Sequence, residues 1–453
     1  MPVDGVEKMK PDTSLAPELD VSLSRALNAR ARRLIPGASH TYAKGDDQFP
    51  ENLPIVIARG QGCRVWDADG NEFIEFGMGL RSVTLGHAFA PVVAAARAAL
   101  ELGTNYSRPA AIEVECAEAL QQLIGSAEMV KFCKNGSDAL DGAVKLARAH
   151  TGRDSIAICG DHPFFSISDW FIGTTAMPGG IPAWVRQHTF KFRYNDLDSL
   201  AALFDSHPGE IACVVMEASR MEEPRAGFLQ GVADMCRDRG AIFVLDEMIT
   251  GFRWHRGGAQ QVYGIRPDLS TFGKALSNGF SVSALVGRRD LMELGGIDTD
   301  KERVFLLSTT HGAEVHSLAA ALATMRFYTQ NDVTGVLHAR GERMKTRVME
   351  AVRTLGLEAY FEVLGRACNL VYATRGPDGK PSNEFRTLFL QETLARGLLI
   401  PSLVVSYSHT QADIDKAADI IIEALEVYRR ALREGIATFL RGAAVKASMR
   451  PRA

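Results

Sequence analysis

Short apolar runs alternate with longer segments of helical hydrophobic spacing between about residues 90 and 330. The helical segments repeat apolar positions every three or four residues, whereas the short runs are rich in β-branched residues. Strands of this kind, joined by helices, are typical of a parallel sheet that is covered on both faces. The pattern therefore predicts an α/β fold with a mostly parallel central sheet. The strand candidates are MVKFC, SIAICG, IACVVME and AIFVLDE, and the first helix candidates are APVVAAARAALELG and IEVECAEALQQLIG.

The two ends of the chain follow a different pattern. A helix over SLSRALNARARRLI is predicted to stop at Pro36 and Gly37. Two β-rich runs flank Asp69 and Gly70, which is a strong hairpin signal. One long helix is predicted around 331–355, and a second one covers TQADIDKAADIIIEALEVYRRALREG in an α+β tail.

These patterns predict a division into three segments. A large domain spans 76–330, and the segments 1–75 and 331–453 join into a smaller α+β domain. Residues 1–20 are polar and predicted to be disordered, and the last residues, 443–453, are predicted to form a loose basic end.

Composition excludes several classes of function. The 453 residues carry a net charge of −3, which gives no electrostatic reason to bind nucleic acid or an anionic membrane. No apolar run approaches the ~20 residues of a membrane span, and the N-terminus lacks the apolar core of a secretory signal. The seven cysteines are scattered without metal-ligand spacing, so we predict reduced, buried thiols, a cytoplasmic protein and no metal site.

Two residues at predicted strand ends carry candidate chemistry. Asp246 ends the run AIFVLDE, and ligands collect at the carboxyl ends of parallel strands. Lys274 follows LSTFG among small residues, where burial lowers the pKa of a lysine and gives a neutral amine that can form a Schiff base. The alternatives are a helix N-cap or a structural ion pair for Asp246, and a surface lysine for Lys274.

A third candidate site lies at the strand–turn–helix segment FCKNGSDALDGAVKLAR. Gly136 and Ser137 fall at the helix start, where free N–H groups and the helix dipole favour a phosphate. A plain N-cap at Ser137 is the alternative. An aldehyde for Lys274, a pyridine nitrogen for Asp246 and a phosphate for the helix together make pyridoxal phosphate, which is the cofactor that these residues predict.

Seven stretches of the chain extend this interpretation, and their order and spacing match one family. From about residue 30 to 430 the sequence resembles the class III aminotransferases of fold type I, and within them the glutamate-1-semialdehyde aminomutase subgroup. The stretches are RLIPGASH, VWDADGNEFIEF, LGHAFAPV, NGSDALDGAVKLARAHTGRD, LDEMITGFR, PDLSTFGKALSNG and VGRRDLM.

The resemblance implies roles for individual residues. Lys274 corresponds to the lysine that binds the cofactor covalently, and Asp246 to the aspartate on the pyridine nitrogen. Gly136 and Ser137 match the pair that cradles the phosphate. Thr309 resembles a threonine that reaches the phosphate across a subunit interface, with neighbouring Thr310 as a competitor, so the resemblance also implies a homodimer with the active site at its interface.

The sequence departs from the family around the predicted cofactor ring. The family motif Tyr-His-Gly is replaced by CGDHPFFSISDWF, in which His162 and Phe164 are the candidates to stack on the ring. Packing under the sheet is the alternative for Phe164. The family Glu-Pro becomes Glu217-Ala218, and Glu217 is still expected near the cofactor. The charged positions after it, Glu222, Glu223 and Arg225, are predicted to be a solvated turn.

The substrate-binding positions also differ. Lys44 stands where the aminomutase subgroup has an arginine that binds the substrate carboxylate, and Arg81 stands where the family more often has a small or aromatic residue. A lysine lacks the bidentate fork of arginine. We predict that Arg81 or Lys44 recognises an anionic group of the substrate, with the alternative that both lie on the rim.

The sequence as a whole predicts a pyridoxal-phosphate-dependent aminotransferase that moves an amino group from a small-molecule donor to a carbonyl acceptor. Its first alternative is an intramolecular aminomutase, and a racemase is another. A non-catalytic binding protein is the alternative from a different class, and the presence of both Lys274 and Asp246 argues against it.

Overall fold

The computed structural model describes residues 15–162 and 164–450. The expected disorder of residues 1–14 lies outside the described residues. From residue 15 onward the chain packs against the rest of the protein, since Ala16 is buried and its N–H donates to the carboxylate of Glu392 at 3.0 Å. The predicted disorder is therefore wrong for the described part of this segment.

The helices and strands that the sequence predicted are present, with additional short ones. The helices of the described chain are α1 (Ser22–Leu34), α2 (Met78–Arg81), α3 (Ala90–Leu100), α4 (Ala111–Leu123), α5 (Gly136–Thr151), α6 (Asp169–Ile172), α7 (Ala183–Gln187), α8 (Leu197–Ser206), α9 (Phe228–Arg239), α10 (Ala259–Tyr263), α11 (Arg289–Met292), α12 (Val315–Gln330), α13 (Val333–Leu355), α14 (Asn383–Ala395) and α15 (Gln411–Glu434). The strands are β1 (Ile57–Gln61), β2 (Arg64–Asp67), β3 (Glu72–Glu75), β4 (Met129–Cys133), β5 (Ser155–Cys159), β6 (Thr189–Phe192), β7 (Ile211–Glu217), β8 (Ile242–Asp246), β9 (Leu269–Phe272), β10 (Ser283–Gly287), β11 (Phe361–Leu364), β12 (Val371–Thr374) and β13 (Leu398–Leu399).

The largest sheet of the described chain has the strand order β4-β10-β9-β8-β7-β5-β6. β10 runs antiparallel to both of its neighbours, and the other pairs are parallel. β5, β7 and β8 are buried along their whole length, and α5 packs across several strands of the sheet. The predicted α/β fold with a mostly parallel sheet is confirmed.

Local signals fix the ends of the helix that follows β4. The side chain of Asn135 accepts a hydrogen bond from the N–H of Asp138 at 3.1 Å, which caps the start of α5. At the other end, Gly152 has φ 67°, a left-handed conformation that glycine adopts at low cost. The start of α5 is therefore held at the carboxyl edge of the sheet.

The two ends of the chain meet in a second sheet. The hairpin predicted at Asp69 and Gly70 joins β2 to β3, which pair antiparallel. β13, from the C-terminal part, pairs in parallel with β3, and Leu398 lies opposite Ile74. The two ends thus share one sheet, while the proposed domain boundaries stay a prediction.

The C-terminal end is packed against the rest of the protein. Val445 is buried, and its N–H donates to the hydroxyl of Thr387 at 2.9 Å. The N–H of Lys446 donates to the carbonyl of Asp47 at 2.9 Å. The predicted loose end is therefore wrong for 443–450, because an apolar residue inside the basic segment anchors it; residues 451–453 lie outside the described chain.

Two further features bear on the predictions from composition. All seven cysteine side chains are buried and none forms a disulfide, which confirms that the thiols are buried. No helix in the described part of the chain combines the length and the apolar composition that crossing a membrane requires.

Candidate active site

The carboxyl ends of β7 and β8 bring two carboxylates together. Glu217 and Asp246 are register partners on these parallel strands, and each is 2% exposed. Oδ1 of Asp246 accepts hydrogen bonds from the Met248 N–H at 2.8 Å and the Thr271 hydroxyl at 3.2 Å. No hydrogen bond reaches its Oδ2 among the described residues. One oxygen of Asp246 is therefore available to a ligand.

Burial raises the pKa of Asp246, and the negative charge of Glu217 raises it further. The positive charge of Lys274 acts in the opposite direction. A carboxylate in this setting binds a cationic ligand group strongly, because the ligand's charge replaces the lost solvation.

Lys274 lies next to these carboxylates. It starts the short 3-10 helix Lys274–Ser277 directly after β9, and its φ of 39° is left-handed. Burial lowers the pKa of the Lys274 amine, while Asp246 and Glu217 oppose that shift. The described chain offers its amino group no hydrogen bond or ion pair. The pKa direction agrees with the predicted neutral amine, and the covalent role of Lys274 stays a prediction.

The side chain of Met248 packs between the start of α5 and the peptide before Lys274. A Cβ at Gly136 would lie 2.9 Å from Sδ of Met248, and a Cβ at Gly273 would lie 2.6 Å from the same atom. Both contacts are too close for a side chain, so both positions require glycine unless Met248 moves. This packing brings the helix terminus to the strand ends that carry Asp246.

Ser137 lies inside the first turn of α5, and Asn135 is the N-cap. The alternative interpretation of Ser137 as the N-cap is therefore wrong. The Ser137 hydroxyl accepts a hydrogen bond from the Ile167 N–H at 3.1 Å. The N–H groups of the first turn have no partner within the helix, so the backbone of Gly136 and Ser137 offers donors for a phosphate.

The two candidates for ring stacking lie in different environments. His162 is buried beside the end of β7, where its Nδ1 accepts a hydrogen bond from the N–H of Glu217 at 3.2 Å. Burial lowers the pKa of His162, and its ring lies 4.8 Å from that of Tyr194. Phe164 is 46% exposed and contacts Phe171 edge-on. The buried position beside β7 favours His162 over Phe164 as the stacking residue. The stacking role of either residue stays a prediction.

Arg81 points toward the strand ends. Burial lowers its pKa to about 10, and the neighbouring charges of Arg220 and Arg253 add to the shift. Its Nε–H donates to Oδ1 of Asn369 at 2.7 Å. The fully buried Arg253, which the sequence analysis did not single out, donates to the carbonyl of Arg81 at 2.7 Å and to Thr84.

Lys44 occupies a different place. It is exposed and lines a cavity of about 580 Å³ whose walls include Gly79 and Leu80. Neither Lys274 nor Asp246 lines this cavity. The two predicted substrate residues therefore differ in setting: Arg81 is among the charges that lower the pKa of Lys274, whereas Lys44 is exposed on the wall of this cavity.

Thr309 and Thr310 lie in an exposed loop before α12. The carbonyl of Thr310 accepts a hydrogen bond from the Asn105 side chain at 2.9 Å. No described residue forms a hydrogen bond with the hydroxyl group of Thr309 or of Thr310. Exposure at this position is what a contact with a second subunit requires, and that contact stays a prediction.

The second carboxylate of the LDE motif has a structural role. Glu247 is fully buried, and its oxygens accept hydrogen bonds from the N–H groups of Ala259 and Gln260 at 2.8 Å each. The hydroxyl of Thr250 also donates to Glu247. Glu247 thus closes the loop that follows β8, which leaves Asp246 as the carboxylate that faces a ligand.

The turn after β7 is exposed to solvent at Glu222, Glu223 and Arg225. Oε1 of Glu222 accepts a hydrogen bond from the Asn195 side chain at 2.9 Å, and the N–H of Arg225 donates to the same side chain at 2.8 Å. The hydroxyl of Tyr263 donates to Glu223. The prediction of a solvated turn is therefore confirmed, and partners distant in sequence additionally hold both glutamates.

The turn also carries a residue that the sequence analysis missed. Nη1 of Arg220 lies 3.6 Å from Oε2 of Glu217, and its side chain is 24% exposed. The available signal was position, since a charged residue three places after the carboxyl end of a parallel strand lies where ligands bind.

Comparisons with known proteins agree with this geometry. The aminotransferase class-III family profile matches residues 47–425. The chain is 32% identical over 421 residues to a glutamate-1-semialdehyde 2,1-aminomutase of Syntrophobacter fumaroxidans, covering 88% of this chain and 96% of that protein. It is 28% identical over 429 residues to a 3-aminobutyryl-CoA aminotransferase of Cloacimonas acidaminovorans, covering 92% of this chain and 100% of that protein.

A solved structure of a related protein has the same fold. The FumI protein of Sphingopyxis sp. MTA144, in its PLP internal aldimine form, is 29% identical and superposes with a TM-score of 0.82, covering 91% of this chain and 97% of that one. The predictions of a fold type I transferase, of pyridoxal phosphate as cofactor and of aminotransferase chemistry are confirmed. The chain belongs to the class III aminotransferases.

Proposed function

We propose that this enzyme is a cytoplasmic homodimer that transfers an amino group from a small-molecule amino donor to a separate carbonyl acceptor. The observation that carries the proposal is the environment of Lys274. Its amine has no partner in the described chain, burial lowers its pKa, and the paired strand ends of Asp246 and Glu217 lie beside it. An unpaired amine of this kind is suited to nucleophilic and acid–base chemistry.

The residues of the site fit pyridoxal phosphate. The unbonded Oδ2 of Asp246 is an acceptor for a protonated ring nitrogen, and Gly136 and Ser137 offer N–H groups for the phosphate. The bound cofactor supplies a carbonyl that condenses with amines and a ring that takes up an electron pair. With the cofactor bound, Asp246 would stabilise a positive charge on the ring nitrogen, because a buried carboxylate gains from a cationic partner.

The chain's own part in proton transfer falls to Lys274. Its lowered pKa leaves Nζ able to accept the proton that leaves the donor Cα. The same group, once protonated, returns the proton at another carbon. Burial of the surrounding strand ends excludes water, which keeps this proton from exchanging during the reaction.

The aminomutase alternative is disfavoured by Lys44. The relatives include proteins named as an aminomutase and as an aminotransferase, so the family does not choose between them. A mutase must hold one molecule through both halves of the reaction, and the aminomutase subgroup uses an arginine at the position of Lys44. Here that position is an exposed lysine, which lacks the bidentate donors of an arginine.

A single experiment separates the two reactions. The holoenzyme is mixed with an amino donor alone, and the cofactor absorbance and the released oxo product are followed together. A transaminase releases one oxo product for each cofactor converted to its amine form. Isomerised product without any oxo product would overturn the proposal in favour of a mutase.

Two observations support the rest of the proposal. Exposed apolar side chains at Leu100, Leu102 and Tyr106 surround the Asn105 contact to Thr310, and such a patch is typical of a protein interface. The buried, unpaired cysteines favour a reducing compartment.

A further inference from the structure

Two arginines near Lys274, Arg81 and Arg220, have few partners in the described chain, and of the two only Arg220 lies within ion-pair distance of a carboxylate, that of Glu217. Nε–H of Arg81 is bonded to Asn369, but no described residue bonds its Nη groups. Arg220 approaches Glu217 at 3.6 Å, which is too long for a hydrogen bond. The buried Oε2 of Glu217 accepts no hydrogen bond in the described chain. Both guanidinium groups therefore keep free donors.

The two guanidinium groups interact electrostatically. Besides burial, the positive charge of Arg220 lowers the pKa of Arg81, and both charges help to lower the pKa of Lys274. These charges therefore lie within reach of each other and of the reacting amine. Asp246 is assigned to the ring nitrogen of the cofactor, so two cations face one carboxylate, and this surplus of positive charge in a partly buried place favours an anion.

The loop that carries Arg220 is held firmly. Arg366 donates from Nη1 to the Tyr263 hydroxyl at 3.2 Å and lies 3.6 Å from the carboxylate of Glu223, which the same hydroxyl contacts. Asn195 binds the loop from the other side. A mobile surface arginine would not need these anchors, so the loop fixes the direction of Arg220.

The backbone under Arg81 is also unusual. Every residue from Met78 to Arg81 is left-handed, with φ between 44° and 76°. This conformation costs roughly 1–2 kcal/mol at each non-glycine residue. Contacts from Arg253 and Asn369 hold the turn in place. Strained backbone that its surroundings hold in place is typical of a functional site.

We propose that Arg81 and Arg220 together bind a carboxylate of the substrate, so that the enzyme acts on amino acids and oxo acids rather than on simple amines. The inference rests on the proposed function and names its substrate class. A carboxylate carries one negative charge, which matches the surplus of two arginines over Glu217. Its two oxygens also fit the paired N–H donors of a guanidinium group.

The test compares donors that differ in the carboxylate. Half-reactions of the holoenzyme are measured with 3-aminobutanoate and with 2-aminobutane, for the wild type, Arg220→Gln and Arg220→Lys. Arg225→Gln is the matched control, because it lies on the same loop and its side chain is exposed without a partner in the described chain. Melting of the holoenzyme is measured as well, with butanoate or butanamide added at equal concentration.

Arg220→Gln should lower kcat/KM for 3-aminobutanoate by at least about 30-fold and should lower the already slow reaction of 2-aminobutane by a clearly smaller factor. The kcat/KM of Arg220→Lys for 3-aminobutanoate should lie between those of the wild type and Arg220→Gln, since lysine keeps the positive charge and loses the paired N–H donors of the guanidinium group. Butanoate should raise the melting temperature of the wild type and of Arg225→Gln, but not of Arg220→Gln, and butanamide should raise none.

Equal losses on both donors, or equal protection of Arg220→Gln and wild type by butanoate, would overturn the inference. A failure of the proposed function looks different. In that case the wild type releases no oxo product from any donor, and the melting comparison alone then decides whether Arg220 binds a carboxylate.

Discussion

Glu217 and Asp246 lie directly opposite each other at the carboxyl ends of adjacent parallel strands, and both are buried. Each has one carboxylate oxygen without a hydrogen bond among the described residues. Two carboxylates so close together repel each other unless cations lie near them, and the structure supplies the guanidinium groups of Arg81 and Arg220.

The first prediction concerns pH and the apoprotein. Burial and Glu217 raise the pKa of Asp246, so the folded chain holds this proton more tightly than the unfolded chain does. The resulting stability is full below the ordinary aspartate pKa of about 4 and is lost as the pH rises through the raised value. Asp246→Asn removes that loss. At pH 8 its apoprotein should melt at least about 2 °C above the wild type.

The difference should shrink toward pH 4, and calorimetry at both pH values measures it. The exposed Asp300→Asn is the control and should show no such pH dependence. A gain of equal size at both pH values would contradict the assignment of the raised pKa to Asp246. In the holoenzyme the same change should lower turnover at least 100-fold, about 2.7 kcal/mol of barrier.

The second prediction concerns the peptide before Lys274. A Cβ at Gly273 would lie 2.6 Å from Sδ of Met248 and closer still to the Ser283 hydroxyl. Gly273→Ala should therefore displace Lys274 and lower kcat by about 10- to 100-fold without unfolding the protein. Gly125→Ala, where no atom lies within 4 Å of the added methyl group, should leave kcat unchanged. Equal kcat values for the two variants would show that Lys274 tolerates the shift.

The third prediction concerns assembly. Thr309→Ala should raise the dissociation constant of the cofactor about tenfold, because it removes one hydrogen bond to a charged phosphate from the neighbouring subunit. Thr310→Ala should change it less than twofold, since the observed contact of Thr310 uses its carbonyl. Dilution should release cofactor from the wild type as dimers dissociate. Cofactor release that does not depend on protein concentration, or an active monomer in sedimentation, would refute the shared site.

The fourth prediction uses salt to separate the two proposed anion-binding residues. Lys44 is exposed, so Lys44→Ala should lower kcat/KM for an acidic donor by no more than about fivefold, and the effect should fade as ionic strength rises. Arg81→Gln should cause a larger loss that depends less on salt, because Arg81 is less exposed than Lys44 and is therefore screened less. A salt-insensitive loss for Lys44 would place it in the buried site instead.

Local patterns were sufficient to predict much of the site. Asp246 and Lys274 stand beside strands with clear apolar runs, and the start of α5 follows a distinctive turn. The pairing of Glu217 with Asp246 was not predictable, because it depends on the register between two strands. Arg220 was missed for a related reason. Its direction depends on a loop that residues distant in sequence hold, and no local pattern encodes those contacts.

The same reason explains the errors at the chain ends. Residues 15–20 belong to the polar N-terminal segment and 443–450 to a basic one, and such compositions predict loose segments. Apolar residues within them, Ala16 and Val445, are nevertheless buried, and the backbone N–H of each donates to a side chain of α14. Composition averaged over a segment hides such anchors.

The central claim is that Lys274 holds the cofactor and moves the proton. Borohydride reduction of the holoenzyme, followed by peptide mapping, tests it most directly. The cofactor mass should appear on the peptide that contains Lys274, and Lys274→Ala should show no fixed cofactor and a turnover lower by several orders of magnitude. Cofactor fixed to another lysine of the wild type, or substantial transamination by Lys274→Ala, would contradict the account.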